Sequence, residues 1–137
     1  MTDRMIFINL AVADLAASTA FFQKLGFEQN PDFSDENASS IVFGPQVVAM
    51  LLTREYFATF TGKPYGDPGA TTDVLLALGA DSREEVDRIA DAALEQGVGE
   101  PAPPQDHGFM YGRTFYDPDG HHWEVAWLDP TQMPPSS

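Results

Sequence analysis

Apolar positions along the chain recur in two rhythms. Residues 5–12 read MIFINLAV, a strand-length run rich in Ile, Leu and Val that ends at Ala13-Asp14. The following LAASTAFFQKLG changes to helical spacing, with Leu15, Thr19, Phe22 and Leu25 on one stripe, Asp14 as cap and Gly26 as stop. That spacing predicts a helix of about three turns. FEQNPDF, SSIVF and QVVAMLL then read as three short strands, the last two parted by a Gly44-Pro45 turn. From Thr71 the order returns. TTDVLLALG reads as a strand, and Ser82 with Glu85 forms a capping box for a helix striped by Val86, Ile89, Ala90, Ala93 and Leu94 and stopped by Gly97. VGEPAPPQD, HGFMYGRTFY, a turn at residues 117–120 and HHWEVAWLD complete a second β-α-β-β-β half. The halves share pattern more than identity.

Between the halves, residues 53–70 mix Tyr56, Phe57, Phe60 and Tyr65 with Gly62, Pro64, Gly66, Pro68 and Gly69. The segment reads as a connection packing its own aromatics on the core, with a lid over a pocket as the alternative. The closing MPPSS, residues 133–137, is expected to fray. Composition narrows the function classes. A chain of 137 residues fits one domain with its own core, and the absence of Cys removes thiol chemistry and thiolate metal sites. Seven basic against 21 acidic side chains leave a formal charge of −14, which repels phosphate backbones and anionic lipid, so no nucleic acid and no membrane partner is expected. The start lacks a basic region followed by an apolar one, and no apolar stretch nears membrane-spanning length. A cytoplasmic protein is expected.

The paired modules, the opening FINLAVADLAASTAFFQKLGF and the closing DPDGHHWEV resemble the vicinal-oxygen-chelate superfamily of glyoxalase I, bleomycin-resistance proteins and extradiol dioxygenases. The run DHGFMYGRTFYDPDGHHWEVAWLD is similar to a glyoxalase-like subgroup with no assigned reaction. The resemblance implies an α+β fold, a single domain over residues 1–137 in which two βαβββ modules form curved mixed sheets around a cavity, with helices on the outside. Module one spans about residues 4–52 and module two about 71–129. It also implies a small-molecule ligand in the cavity, a homodimer and, in metal-bearing members, a divalent cation held by His, Gln or Glu from both modules.

Alternation along the strands sorts the candidate residues. In the first strand Ile6, Ile8, Leu10 and Val12 form the face under a helix, leaving Phe7, Asn9 and Ala11 on the other. In the last strand Trp123, Val125 and Trp127 form the bulky face, and His122, Glu124 and Ala126 its opposite. With the cavity that the resemblance implies, Phe7 and Asn9 of the first strand and Met50 in QVVAMLL are candidate cavity-lining residues. Glu124, after DPDG, matches the family's carboxylate ligand. The other matching positions fall on Phe7, on Val48, Ala49 or Met50, and near Val74 or Leu75, none a usual hard-cation ligand. A site of about three protein ligands would need His122, on the face of Glu124, or His107. Without a metal, Tyr111, Arg113, His107, His122 and Glu124 make a candidate catalytic cluster, with Glu124 as general base and Arg113 orienting a substrate oxygen. As the structural alternative, a four-residue turn at 117–120 sets positions 113 and 124 opposite each other, so that Arg113 and Glu124 pair. His121 is expected to be solvated. Three function classes stay open: a glyoxalase-like lyase or dioxygenase-like enzyme, a non-catalytic protein that binds and sequesters a small molecule such as a drug, and a structural member whose cavity is closed by side chains and whose role is assembly.

Overall fold

The structure, a computed structural model, describes residues 2–132; the closing segment expected to fray lies outside them. The chain divides into two compact units that meet between Asp67 and Pro68. In the first, β1 (Ile6–Val12) leads through Asp14, whose carboxylate accepts from the Ala17 amide at 3.0 Å, into α1 (Leu15–Lys24). Gly26, at φ 103°, turns the chain out of that helix, a conformation that costs glycine little. β2 (Glu28–Asn30), β3 (Ala38–Gly44) and β4 (Val47–Thr53) follow, and β1 pairs in parallel with β4 to give the order β1-β4-β3-β2. Residues 31–33, expected to extend the second strand, instead form a single 3-10 turn because the Asn30 side chain caps the Asp32 amide at 3.0 Å.

Helix α1 lies over the face carrying Ser39, fixed there by the Thr19 hydroxyl donating to Ser39 Oγ at 2.7 Å. Leu10 and Leu51 stand in register with Ser39, and with Val12, Phe21, Phe22, Leu25 and Ile41 they are buried as the core of this unit. The buried helix positions are Ser18, Phe21 and Phe22, so the stripe is rotated from the one the spacing suggested. The connection contains an unforeseen short helix, α2 (Arg54–Ala58), capped by Thr53. Its aromatics pair edge to face, Tyr56 with Phe60 and Phe57 with Tyr65, at centroid separations of 5.0 and 5.1 Å.

The second unit repeats the plan. β5 (Leu75–Gly79) runs parallel to β8 (His122–Leu128), with β7 (Met110–Tyr116) and β6 (Gln105–Asp106) completing the order β5-β8-β7-β6. Helix α3 (Arg83–Leu94) buries Val86, Ile89, Ala90 and Ala93 against β7 and β8. Ser82 caps it as expected, but Glu85 reaches back to the Asp81 amide rather than to that of Ser82. Of the extended piece 98–106 only two residues pair as strand. Pro101, Pro103 and Pro104 have no amide hydrogen to give a ladder, and the Thr114 hydroxyl stands in by bonding both the amide and the carbonyl of Ala102 at 3.1 Å. The fold is α+β, two four-stranded mixed sheets each built from a βαβββ module.

Candidate functional site

The loop between β7 and β8 decides which residues of the second sheet work together. Tyr116 pairs with His122, so five residues, 117–121, turn the chain instead of four. One extra residue shifts every cross-strand partner by one and moves it to the other face. Arg113 therefore stands opposite Val125 and Glu124 opposite Thr114, which removes the structural alternative of an Arg113–Glu124 pair.

On the face under α3, Arg113 joins Asp91 and Asp87 at 2.8 and 3.1 Å, and the Tyr111 hydroxyl donates to Asp87 at 2.6 Å. The Tyr111 hydroxyl and then the Arg113 guanidinium hold the Asp87 carboxyl below its ordinary range, and the same bond to Asp87 raises the Tyr111 phenol. Arg83 grips Asp106 through both guanidinium nitrogens at 2.8 Å and lies over the rings of Tyr111 and Trp127 at 5.1 and 5.2 Å. These are joints that tie helix to sheet. Tyr111 and Arg113 thus leave the expected catalytic cluster for the opposite side of the sheet from Glu124.

On the face away from α3, Glu124 stands between Ala77 of β5 and Thr114 of β7. It is half-buried and, among the described residues, makes no hydrogen bond or ion pair. Ala126 pairs with Gly79 and Gly112, and a Cβ added at Gly112 would sit 3.6 Å from Glu124 Oε2 and 3.7 Å from both the Ala126 Cβ and the Met110 Cε, so small residues and the end of the Met110 side chain border the carboxylate. His122 shares the face, its ring edge-on to Tyr116 at 5.8 Å. His107 is exposed in the β6–β7 loop with its ring against Phe109. The nearest paired position on β7, Met110, lies four residues from Thr114, about 13 Å along the strand. In the first unit, register places Phe7 beside Val48 and Asn9 beside Met50 on the face away from α1.

The divalent cation that the resemblance implies for metal-bearing members meets no cluster of three donors at Glu124 among the described residues. Thr114 gives its hydroxyl to Ala102, Ala77 offers nothing, and Glu124 belongs to no cluster of three potential ligands among the described residues. The three donors that do converge are Asp117, Asp119 and His121, with ligand atoms within 4.8 Å of one another. Asp117, 3% exposed, is already saturated. Its Oδ1 accepts from the Asp119 and His121 amides, each at 3.0 Å, and its Oδ2 from Trp123 Nε1 at 3.0 Å and meets His121 Nδ1 at 2.7 Å. His121, its side chain 11% exposed, is accordingly not the solvated turn residue expected. A carboxylate with both oxygens occupied by turn amides and an indole holds a turn rather than an ion. Asp-Pro-Asp-Gly spacing signalled the turn; nothing in the sequence signalled the buried indole and imidazole that converge on it.

The family model described as Glyoxalase/Bleomycin resistance protein/Dioxygenase superfamily matches residues 4–125. No match was found among curated proteins. Among solved structures, a hypothetical protein of S. aureus is similar at 29% identity and a TM-score of 0.77, covering 93% of this chain and 95% of its own. A glyoxalase-related enzyme from Fulvimarina pelagi shares the fold at 20% identity and a TM-score of 0.75, over 90% of this chain and 87% of its own. The fosfomycin resistance protein FosX from Listeria monocytogenes does so at 23% identity and 0.67, over 93% and 94%. With two βαβββ modules and a family match over nearly its whole length, the chain belongs to the Glyoxalase/Bleomycin resistance protein/Dioxygenase superfamily.

Proposed function

We propose that this protein binds a small organic molecule on the face of the second sheet that lies away from α3, with Glu124 as its polar contact. The observation that supports this reading is a half-buried carboxylate without a partner among the described residues, at the position that by resemblance matches the family's carboxylate ligand. A partly desolvated carboxylate gains from a hydrogen-bond donor supplied by a ligand. Ala77, Gly112 and Ala126 beside it offer an apolar surface of small residues to such a ligand. The donor set favours binding and sequestration over metal-dependent lyase or dioxygenase chemistry, because a catalytic cation needs about three protein ligands and among the described residues Glu124 joins no cluster of three. Homodimerisation belongs to the same proposal, and sedimentation equilibrium tests it.

Amide perturbation mapping with a small-fragment library tests the site. Expected hits move Ala77, Gly112, Thr114 and Glu124 together, and Glu124→Gln weakens them. Hits confined to other surfaces, or unchanged by the substitution, would overturn the proposal.

A further inference from the structure

We infer that Glu124 recognises an organic cation directly, an amidinium, guanidinium or ammonium group, with no metal ion between them. The inference rests on the reading of this face as a ligand site and adds the chemical class. Its basis is where the positive charge of the second unit goes. Residues 68–137 contain three arginines, no lysine and thirteen acidic side chains. Arg113 is held by Asp87 and Asp91, Arg83 by Asp106, and Arg88 stands 3.9 Å from Glu85, an i,i+3 contact along α3. All of these pairs involve α3 or its side of the sheet, so among the described residues none of the unit's arginines pairs with Glu124.

The net charge of the unit, 3 − 13 = −10 with His neutral, and an unneutralised carboxylate together attract a positive ligand and repel an anionic one. Charge complementarity therefore selects a cation. The choice between an inorganic and an organic cation follows from the neighbours. Ala77 and Ala126 cannot ligate, Gly112 has no side chain, and the Thr114 hydroxyl is used by Ala102. A divalent ion would gain one carboxylate and at most the His122 imidazole two residues along the same face, short of about three protein ligands, and would keep most of its water, whereas a planar amidinium makes two parallel charge-assisted hydrogen bonds to that carboxylate and lays its apolar body on Ala77, Gly112 and Ala126.

Benzamidine, the isosteric but uncharged benzamide and the anionic benzoate are titrated into isotope-labelled full-length protein, with Glu124→Gln and Glu124→Asp in parallel and Mn²⁺ alone as a further probe. Benzamidine is expected to move the amides of Ala77, Gly112, Thr114 and Glu124 saturably, and benzamide to bind at least about tenfold more weakly. Glu124→Gln should erase that preference and Glu124→Asp retain part of it, with well-dispersed amide spectra confirming that both variants fold. Equal binding of benzamidine and benzamide, or a preference that survives in Glu124→Gln, would overturn the cation assignment while leaving the face a ligand site. No response on this face to any of the three organic probes would overturn both. Stoichiometric Mn²⁺ broadening centred on Glu124 and lost in Glu124→Gln would overturn the metal-free arrangement.

Discussion

Two carboxylates seven residues apart show how little residue type decides at the scale of single side chains. Asp117 accepts from two turn amides and the Trp123 indole and pairs with the His121 imidazole, while Glu124 has no partner among the described residues. The first is structural and the second is available. Asp117→Ala orphans the indole N–H of Trp123, a residue that is 0% exposed, so urea unfolding is expected to show a loss of about 2–4 kcal/mol. A loss under about 0.5 kcal/mol, the size of an ordinary surface change, would contradict the account of Asp117 as the anchor of the turn. Glu124 was legible in the sequence because it follows a motif. The function of Asp117 was not, since its donors meet only when strand and turn have closed around it.

At the scale of elements, the joint between α3 and β7 carries a pH signature. Asp87 titrates below its ordinary range when folded, so its contribution is present above about pH 4 and is lost as pH falls through the folded value. Tyr111 titrates above its ordinary range, so its contribution is full below about pH 10 and is lost as pH rises through the folded value. Urea midpoints recorded against pH should fall on both limbs, and Asp87→Asn should flatten both. Steep limbs unchanged in that variant would assign the dependence elsewhere. The β7–β8 loop supplies a second prediction. Gly120 has φ 96°, and a Cβ there would lie 2.9 Å from both the Gly69 Cα and the Pro68 carbonyl oxygen, whereas nothing lies within 4 Å of a Cβ at Gly44. Gly120→Ala is therefore expected to cost about 2 kcal/mol or more and Gly44→Ala under about 1 kcal/mol in the same unfolding measurement. The caps of α1 and α3 could be read from Asp14 and Ser82 because a cap is a contact of three residues' reach. The length of the β7–β8 loop could not, because it depends on which amides the Asp117 side chain takes.

At the scale of the whole molecule, a formal charge of −14 means self-repulsion that salt screens. Raising sodium chloride from about 20 to 300 mM, which shortens the screening length from about 20 Å to well under 10 Å, is expected to raise the thermal midpoint by a few degrees. A fall would mean that the ion pairs around Arg83 and Arg113 outweigh the repulsion. The sequence by itself determined the two βαβββ modules, the caps and stops of their helices, the family and the alternation that separates Glu124 from Trp123. These follow from patterns a few residues long, since period, capping and turn chemistry are local. Only the tertiary structure decided that Arg113 and Tyr111 turn to α3 and leave Glu124 without a partner among the described residues, that His121 is tied to Asp117 and that residues 54–58 coil into a helix. The physical reason is register. Side chains alternate faces with a period of two, so one residue in a loop, settled by the hydrogen bonds of a distant buried carboxylate, reassigns every partner along a strand.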